Sequence, residues 1–198
     1  MLIGIAGYTG SGKSTCADIL CGKDCEIING DIEGKKLMQL NSHIKRKLVD
    51  VFGPEAVCDN DVCFEFLSEN VFSSYSNLDR LNKIVHPKLI SFLRQRIKSS
   101  EMENVILDAA LIPFWKIENW FDNRVWIDVP FEIRLKRLEE KYPEKSKTVL
   151  RKRMNIQSQL FKPPENSDWI KVDNSGDLKK LKSNLLKNDS LKRVVAKR

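Results

Sequence analysis

The sequence predicts an α/β domain: a parallel sheet flanked by helices, with a helical lobe beside it and a short basic segment late in the chain. Three observations carry this expectation. Short apolar runs of strand length alternate with stretches of helical periodicity. A glycine-rich stretch, GYTGSGKST at residues 7–15, follows the first apolar run and opens a helical pattern. The helical pattern from 31 to 100 is too long for one crossover between neighbouring strands, so it predicts a lobe of its own.

Residues 2–6, LIGIA, predict a buried strand, and Ser14 to Leu20 a helix behind the glycine-rich turn. Residues 25–29, CEIIN, predict a second strand. From Asp31 to about Phe52 the pattern is helical, interrupted at Asn41-Ser42, where a cap fits, and ended by Gly53-Pro54. Residues 62–72 and 77–98 are helical again, with Leu78, Leu81, Val85, Leu89 and Phe92 at helical spacing. NVILD at 104–108 predicts a strand ending in a carboxylate, and RVWIDV at 124–129 another. A helix from about Glu132 leads into the basic segment. DWIKVD at 168–173 predicts a last strand, which NSGD turns into a C-terminal helix.

Gly7 to Ser14 fits G-x-x-x-x-G-K-[ST], the phosphate-binding P-loop, in its required setting between a strand and a helix. Glycines let the backbone wrap an anion closely, and the following helix adds its positive end. Lys13 supplies a point charge for β/γ-phosphates and Ser14 a hydroxyl for Mg²⁺. The ligand implied is a nucleoside triphosphate, and the fold a P-loop NTPase-like sheet. A GTPase needs D-x-x-G and N-K-x-D. Residues 31–34 and 50–53 match the first in letters only, and no N-K-x-D exists. A motor ATPase needs an Asp-Glu pair after an apolar strand, where this chain has Asp108-Ala109. The size, the helical lobe and the basic segment suit a small-molecule kinase.

Asp31 follows the second strand, at the sheet edge where ligands gather in open parallel sheets. There it can accept a proton from an attacking hydroxyl, or simply cap a helix. Asp108 can hold Mg²⁺ through water or bind a loop. His86-Pro87 lies in the helical lobe, where a lone histidine most often serves structure. In the basic segment 134–153, nine basic side chains face three acidic ones. Arg134 and Arg137 are three apart, Arg153 and Gln157 four apart, and KYPEK breaks the helix between them. Two such helices can be a solvated pair, or they can fold over a triphosphate as a lid that neutralises charge and excludes water.

The net charge of +7 is concentrated in that segment and in residues 187–198, which carry +4; the remainder is net −3. The body is therefore not a nucleic-acid surface, and no specific nucleic-acid partner is expected. Residues 187–198 read as a solvated helix end or frayed tail. No apolar run reaches the roughly 18–20 residues that cross a bilayer. Five cysteines, Cys16, Cys21, Cys25, Cys58 and Cys63, with no leader pattern, predict reduced thiols and a soluble, cytoplasmic protein. Nothing in the sequence marks an oligomeric state.

In order, GYTGSGKST, NGDIEGKKL, FGPEAV, LNKIVHPKL, VILDAAL, IDVPFEIRLKRL, RKRMNIQ and DWIKVDNSGDL make the chain resemble the dephospho-coenzyme A kinase family from Ile3 to about Leu181. The resemblance implies transfer of the γ-phosphoryl group of ATP to the ribose 3′-hydroxyl of dephospho-CoA, with Mg²⁺. It implies Asp31 as base, with Lys13 and Arg137 catalytic and Arg137 a lid cation. Gly10, Ser11, Gly12, Lys13, Ser14, Thr15, Arg134 and Asn174 would hold the nucleotide, with Ser14 on the metal. Asp31, His86 and Asp108 would face the acceptor. One kinase domain would then cover 1–186: a core of 1–30, 101–133 and 165–186, an acceptor-binding lobe of 31–100 and a lid of about 134–164, before a basic tail, 187–198. The chain departs from the family pattern at Ala6 (usually Thr), Phe64 (usually Arg), Ala110 (usually Pro) and Lys141 (usually Arg). The competing expectations are a kinase for another nucleoside-like or small alcohol, and a nucleotide-binding homologue with weakened catalysis.

Overall fold

The computed structural model describes residues 1–165 and 168–195. In chain order the elements are β1 (Leu2–Ala6), α1 (Lys13–Leu20), β2 (Cys25–Asn29), α2 (Gly30–Leu40), α3 (Ser42–Phe52), β3 (Val57–Cys58), β4 (Asp61–Val62), α4 (Phe64–Val71) and α5 (Tyr75–Lys98). They continue as β5 (Asn104–Asp108), α6 (Ile112–Trp115), β6 (Asn123–Asp128), α7 (Phe131–Lys141), α8 (Lys147–Leu160), β7 (Trp169–Asp173), α9 (Leu178–Leu186) and α10 (Asp189–Val195). The chain divides into two compact units, Met1–Gly30 with Ser99–Arg198, and Asp31–Lys98.

The first unit is built on a five-stranded sheet in the order β2-β5-β1-β6-β7, every neighbouring pair parallel. Parallel strands need both faces covered, and the strand sequences meet that need with unbroken apolar runs: all five residues of β5 are buried, and four of five in β1. β1 lies at the centre between β5 and β6, so the loop leaving Ala6 emerges mid-edge. The register sets Asn29 beside Asp108 and Asp128 beside Asp173 at the carboxyl ends of the strands. Ile3, Ile5, Ile106 and Val125 of the sheet pack with Ala17 and Leu20 of α1 and with Leu181 and Leu185 of α9. Helices α7 and α8 share a smaller core of Leu135, Leu138, Leu150 and Met154.

The second unit is helical. Asn41 caps α3, its side-chain oxygen accepting from the Ile44 amide at 3.0 Å. Ile44 and Leu48 of α3, Leu67 and Val71 of α4, and Leu78, Val85, Leu89 and Leu93 of α5 are among its buried apolar positions. A two-stranded hairpin, β3-β4, absent from the sequence expectation, turns on Asp59 and Asn60, both at positive φ. Short acidic and amide side chains tolerate that left-handed turn.

Two expectations are corrected. The expectation for residues 187–198 is a solvated helix end or a frayed tail; a helix, α10, does form, but it is not solvated throughout, since Leu191 is fully buried in the main core. One apolar side chain outweighs the five cations that dominate the composition there; residues 196–198 lie outside the described residues. The thiols are not all reduced either: Cys21, at the end of α1, is bonded to Cys25, at the start of β2, with Cα atoms 5.4 Å apart. The tight α1–β2 turn makes that approach, which residue counting does not register. Cys16, Cys58 and Cys63 are free. Among the described residues no helix is long and apolar enough to cross a membrane.

Leu191→Ala should destabilise the protein by about 2–4 kcal/mol, read as a lowered urea midpoint with an unchanged slope. A frayed tail would give no change.

Candidate active site

The glycine loop runs from the end of β1 to the start of α1, and its shape follows from three backbone positions. Gly7, Gly10 and Gly12 have φ of 151°, 80° and 86°, a region costly to residues with a Cβ. At Gly12 a Cβ would also collide with the Asn174 amide nitrogen. That amide donates to the Ser11 carbonyl at 2.8 Å, and Asn174 is buried. The turn after β7 thus holds the loop from behind. The amides opening α1 have no acceptor within the helix and add the positive end of its dipole.

At the start of α1 the Lys13 ammonium rests 3.4 Å from the Tyr8 carbonyl. The Ser14 hydroxyl donates to Asp108 Oδ2 at 2.7 Å, and the Asn29 amide donates to the same oxygen at 3.2 Å. Asp108 is only 3% exposed, so these donors offset the cost of burying its charge. The sequence alone does not single out Asn29; the only signal it offers is a polar residue ending an apolar strand. Thr15 lies exposed on α1.

Both arginines of α7 reach this edge. Arg134 is 5% exposed, donates from Nε to the Val129 carbonyl at 3.1 Å and from Nη1 to the Thr9 carbonyl at 3.4 Å, and lies over the Tyr8 ring at 4.9 Å. Burial lowers its pKa from its ordinary value, against the pull of Tyr8 and Asp128. Arg137 donates from Nη2 to the Asn174 carbonyl at 2.8 Å and to Gly176 at 3.5 Å, while its Nη1 is buried without a hydrogen-bond partner. The Ser11 hydroxyl is likewise buried and unpartnered. Such orphaned donors beside a concave loop fit an anion. The buried Cys16 thiol is pushed up to about 12 by burial and by Asp108, and is chemically inert.

The structure therefore gathers Gly10, Ser11, Gly12, Lys13, Ser14, Asp108, Arg134, Arg137 and Asn174 at one sheet edge. Asp31 and His86 belong to the other unit. Asp31 stands in the first turn of α2, two residues along the chain from Asn29, and is exposed. His86 is half-buried in α5, just before the in-helix Pro87, and burial brings its pKa down to about 4. Of the family departures, Ala6 is buried below the loop. Phe64 lies under the Lys35 ammonium at 5.6 Å, and Lys141 lies over Tyr142 at 5.4 Å.

A phosphate loop on the central strand of a parallel sheet, backed by a buried amide and flanked by arginines, defines a P-loop nucleotide-binding protein of the α/β class. Comparison narrows the class. Residues 1–180 match the family model of dephospho-CoA kinase, and the chain belongs to that family. It is 30% identical over 190 residues to a dephospho-CoA kinase of Corynebacterium glutamicum, covering 92% of this chain and 95% of that one. A Staphylococcus epidermidis dephospho-CoA kinase is 29% identical over 191 residues, covering 94% and 92%. A crystal structure from Thermus thermophilus superposes with a TM-score of 0.69 at 25% identity, covering 100% of this chain and 97% of that one. The fold is shared with a Campylobacter jejuni dephospho-CoA kinase at a TM-score of 0.58 and 18% identity, covering 98% and 96%.

Two outcomes follow. Gly12→Ala forces a Cβ into the Asn174 amide and a left-handed backbone, and should lower ATP affinity about tenfold or more at a stability cost of about 1–3 kcal/mol. Nucleotide titration calorimetry and urea unfolding measure the two effects. An imidazole held near pKa 4 when folded, against 6.5 ordinarily, gives stability that is full above about pH 6.5 and drains as pH falls toward 4. His86→Gln should flatten that part of the stability–pH profile; a profile as steep as the parent's would contradict it.

Proposed function

We propose that the protein transfers the γ-phosphoryl group of ATP to the ribose 3′-hydroxyl of dephospho-CoA, giving coenzyme A and ADP. The observation that carries this reading is the phosphate loop locked by Asn174, in a chain that belongs to the dephospho-CoA kinase family. The amides of residues 10–14 and the start of α1 cradle the β- and γ-phosphates. Lys13 bridges them as a point charge. The orphaned Arg137 Nη1 is the donor available to the transferred group, whose charge spreads over its outer oxygens as the transfer proceeds. Arg134 acts on the nucleotide through the loop it braces.

Asp31 is the proposed base. The 3′-oxygen bonds to the γ-phosphorus as the bond to the β–γ bridging oxygen breaks, and the hydroxyl proton passes to the Asp31 carboxylate. Helices α7 and α8 serve as the lid, and keeping water out is what separates a kinase from an ATPase. The helical unit from Asp31 onward carries the acceptor side, where a His86 pKa near 4 leaves the imidazole neutral at pH 7, as a hydrogen-bonding group rather than a cation. Asp108 acts through the Ser14 hydroxyl rather than by facing the acceptor.

Ser14 and Asp108 fit Mg²⁺. Their oxygens sit 2.7 Å apart, and both are hard donors. That suits an ion held by one or two protein oxygens together with phosphate. Ser14 would ligate it and Asp108 would orient it; when bound it neutralises phosphate charge. A cytoplasmic location belongs to the same proposal and follows the family.

ATP consumption should depend on dephospho-CoA, with little loss in its absence, across a panel of nucleoside and small-alcohol acceptors. Asp31→Asn should lower kcat by roughly 10²-fold or more with ATP affinity nearly intact, whereas Lys13→Ala should damage both. Steady-state ADP release and calorimetry separate the two; a rate within a few-fold for Asp31→Asn retires it as base.

A further inference from the structure

The main chain of Thr9 is gripped at both its N–H and its carbonyl. Its N–H donates to Gln157 Oε1 on α8 at 2.9 Å, and its carbonyl accepts from Arg134 on α7. Tyr8 repeats the attachment one residue earlier. Its hydroxyl donates to the Phe161 carbonyl at 2.9 Å, and its ring stacks on Phe161 with centroids 5.1 Å apart. Gln157 and Phe161 are one helical turn apart, so the C-terminal end of α8 meets consecutive loop residues. Helices α7 and α8 pack on each other through a core of their own. The attachment falls immediately before Gly10, whose positive φ marks the start of the cradle.

We propose, resting on the phosphotransfer reading above, that Gln157 is a positioning residue that hangs the α7–α8 lid on the Thr9 peptide, so that seating of the triphosphate and closure of the lid are one movement. A main-chain N–H only donates, which fixes the oxygen end of the Gln157 amide toward Thr9. A neutral amide can do this without competing for the phosphates, as a carboxylate would by repulsion and an arginine by attraction. The Thr9 amide is thereby assigned to the lid, and the amides from Gly10 onward to the nucleotide. Displacement of Gly10 by a bound phosphate then reaches α8 first through the Thr9–Gln157 hydrogen bond, with the Tyr8–Phe161 contact beside it.

The test uses Gln157→Met, which keeps side-chain length and helix propensity but accepts no N–H bond. Hydrogen exchange is followed in the full chain with and without a non-hydrolysable ATP analogue. In the parent, the analogue should slow exchange of Thr9 and of the C-terminal turn of α8. In Gln157→Met the Thr9 amide should exchange about tenfold faster or more, and the response of α8 to the analogue should fall well below the parent's. An α8 response equal in both proteins overturns the proposal, as does an unaltered Thr9 amide. This arm needs no acceptor, so it stands apart from failure of the parent to use dephospho-CoA. In turnover, ATP consumed per phosphorylated acceptor should rise above the parent's ratio as water enters; an unchanged ratio counts against the proposal. If Gln157→Met folds poorly, Tyr8→Phe takes its place. It keeps the ring stack, drops the bond to Phe161, and should weaken the α8 response in the same direction; a full response overturns the proposal.

Discussion

The site depends on one buried hydrogen bond, from the Asn174 amide to the Ser11 carbonyl. A loop with three positive-φ glycines has many shapes open to it, and the conformational entropy of glycine makes any single one costly. Asn174, arriving from the far end of the sheet order at the close of β7, occupies the space a Gly12 Cβ would need and satisfies the Ser11 carbonyl. The backbone can then present N–H groups to an anion. Asn174 is in turn set by its own N–H, which donates to the Asp128 carbonyl at 3.0 Å, and by Arg137, which holds its carbonyl. Loop, last strand and α7 form one closed circuit.

That circuit changes what the arginines do. Two cations three residues apart on a helix invite a reading in which both grip phosphate. Arg134 instead directs two of its nitrogens to main-chain carbonyls and its plane to the Tyr8 ring. A guanidinium buried this deeply is tolerated because carbonyl dipoles and an aromatic face replace water. Arg137 divides its fork, one nitrogen on the turn after β7 and the other without a partner. Main-chain acceptors thus orient both guanidinium groups at this edge of the sheet, which is how a protein preorganises positive charge.

The carboxylate edge follows the same logic. Parallel strands end together, so Asp108, Asp128 and Asp173 collect where the loop emerges. Each is held differently. Asp108 is buried and receives Ser14 and Asn29. Asp173 accepts from Ser175 and pairs with Lys180 at 2.9 Å, which brings its pKa down to about 2 and shapes the turn that carries Asn174. Asp128 offers the carbonyl that receives the Asn174 N–H.

The sequence by itself determined the α/β class, the succession along the chain of the five strands of the parallel sheet and the main helices, and the phosphate loop. Each of these is written in contiguous residues: apolar runs that need two covered faces, and glycines spaced for an anion. It also marked Asn41 as a cap, since capping is local. It did not disclose that Asn29 bonds Asp108, that Gln157 bonds Thr9, or that Arg137 holds Asn174; those pairs lie 79, 148 and 37 residues apart and meet only when the sheet forms. It did not show that Leu191 is buried or that Cys21 meets Cys25 either, for a different reason. Charge and residue counts are sums over the chain, whereas burial of Leu191 and the approach of two sulfurs are properties of a shape.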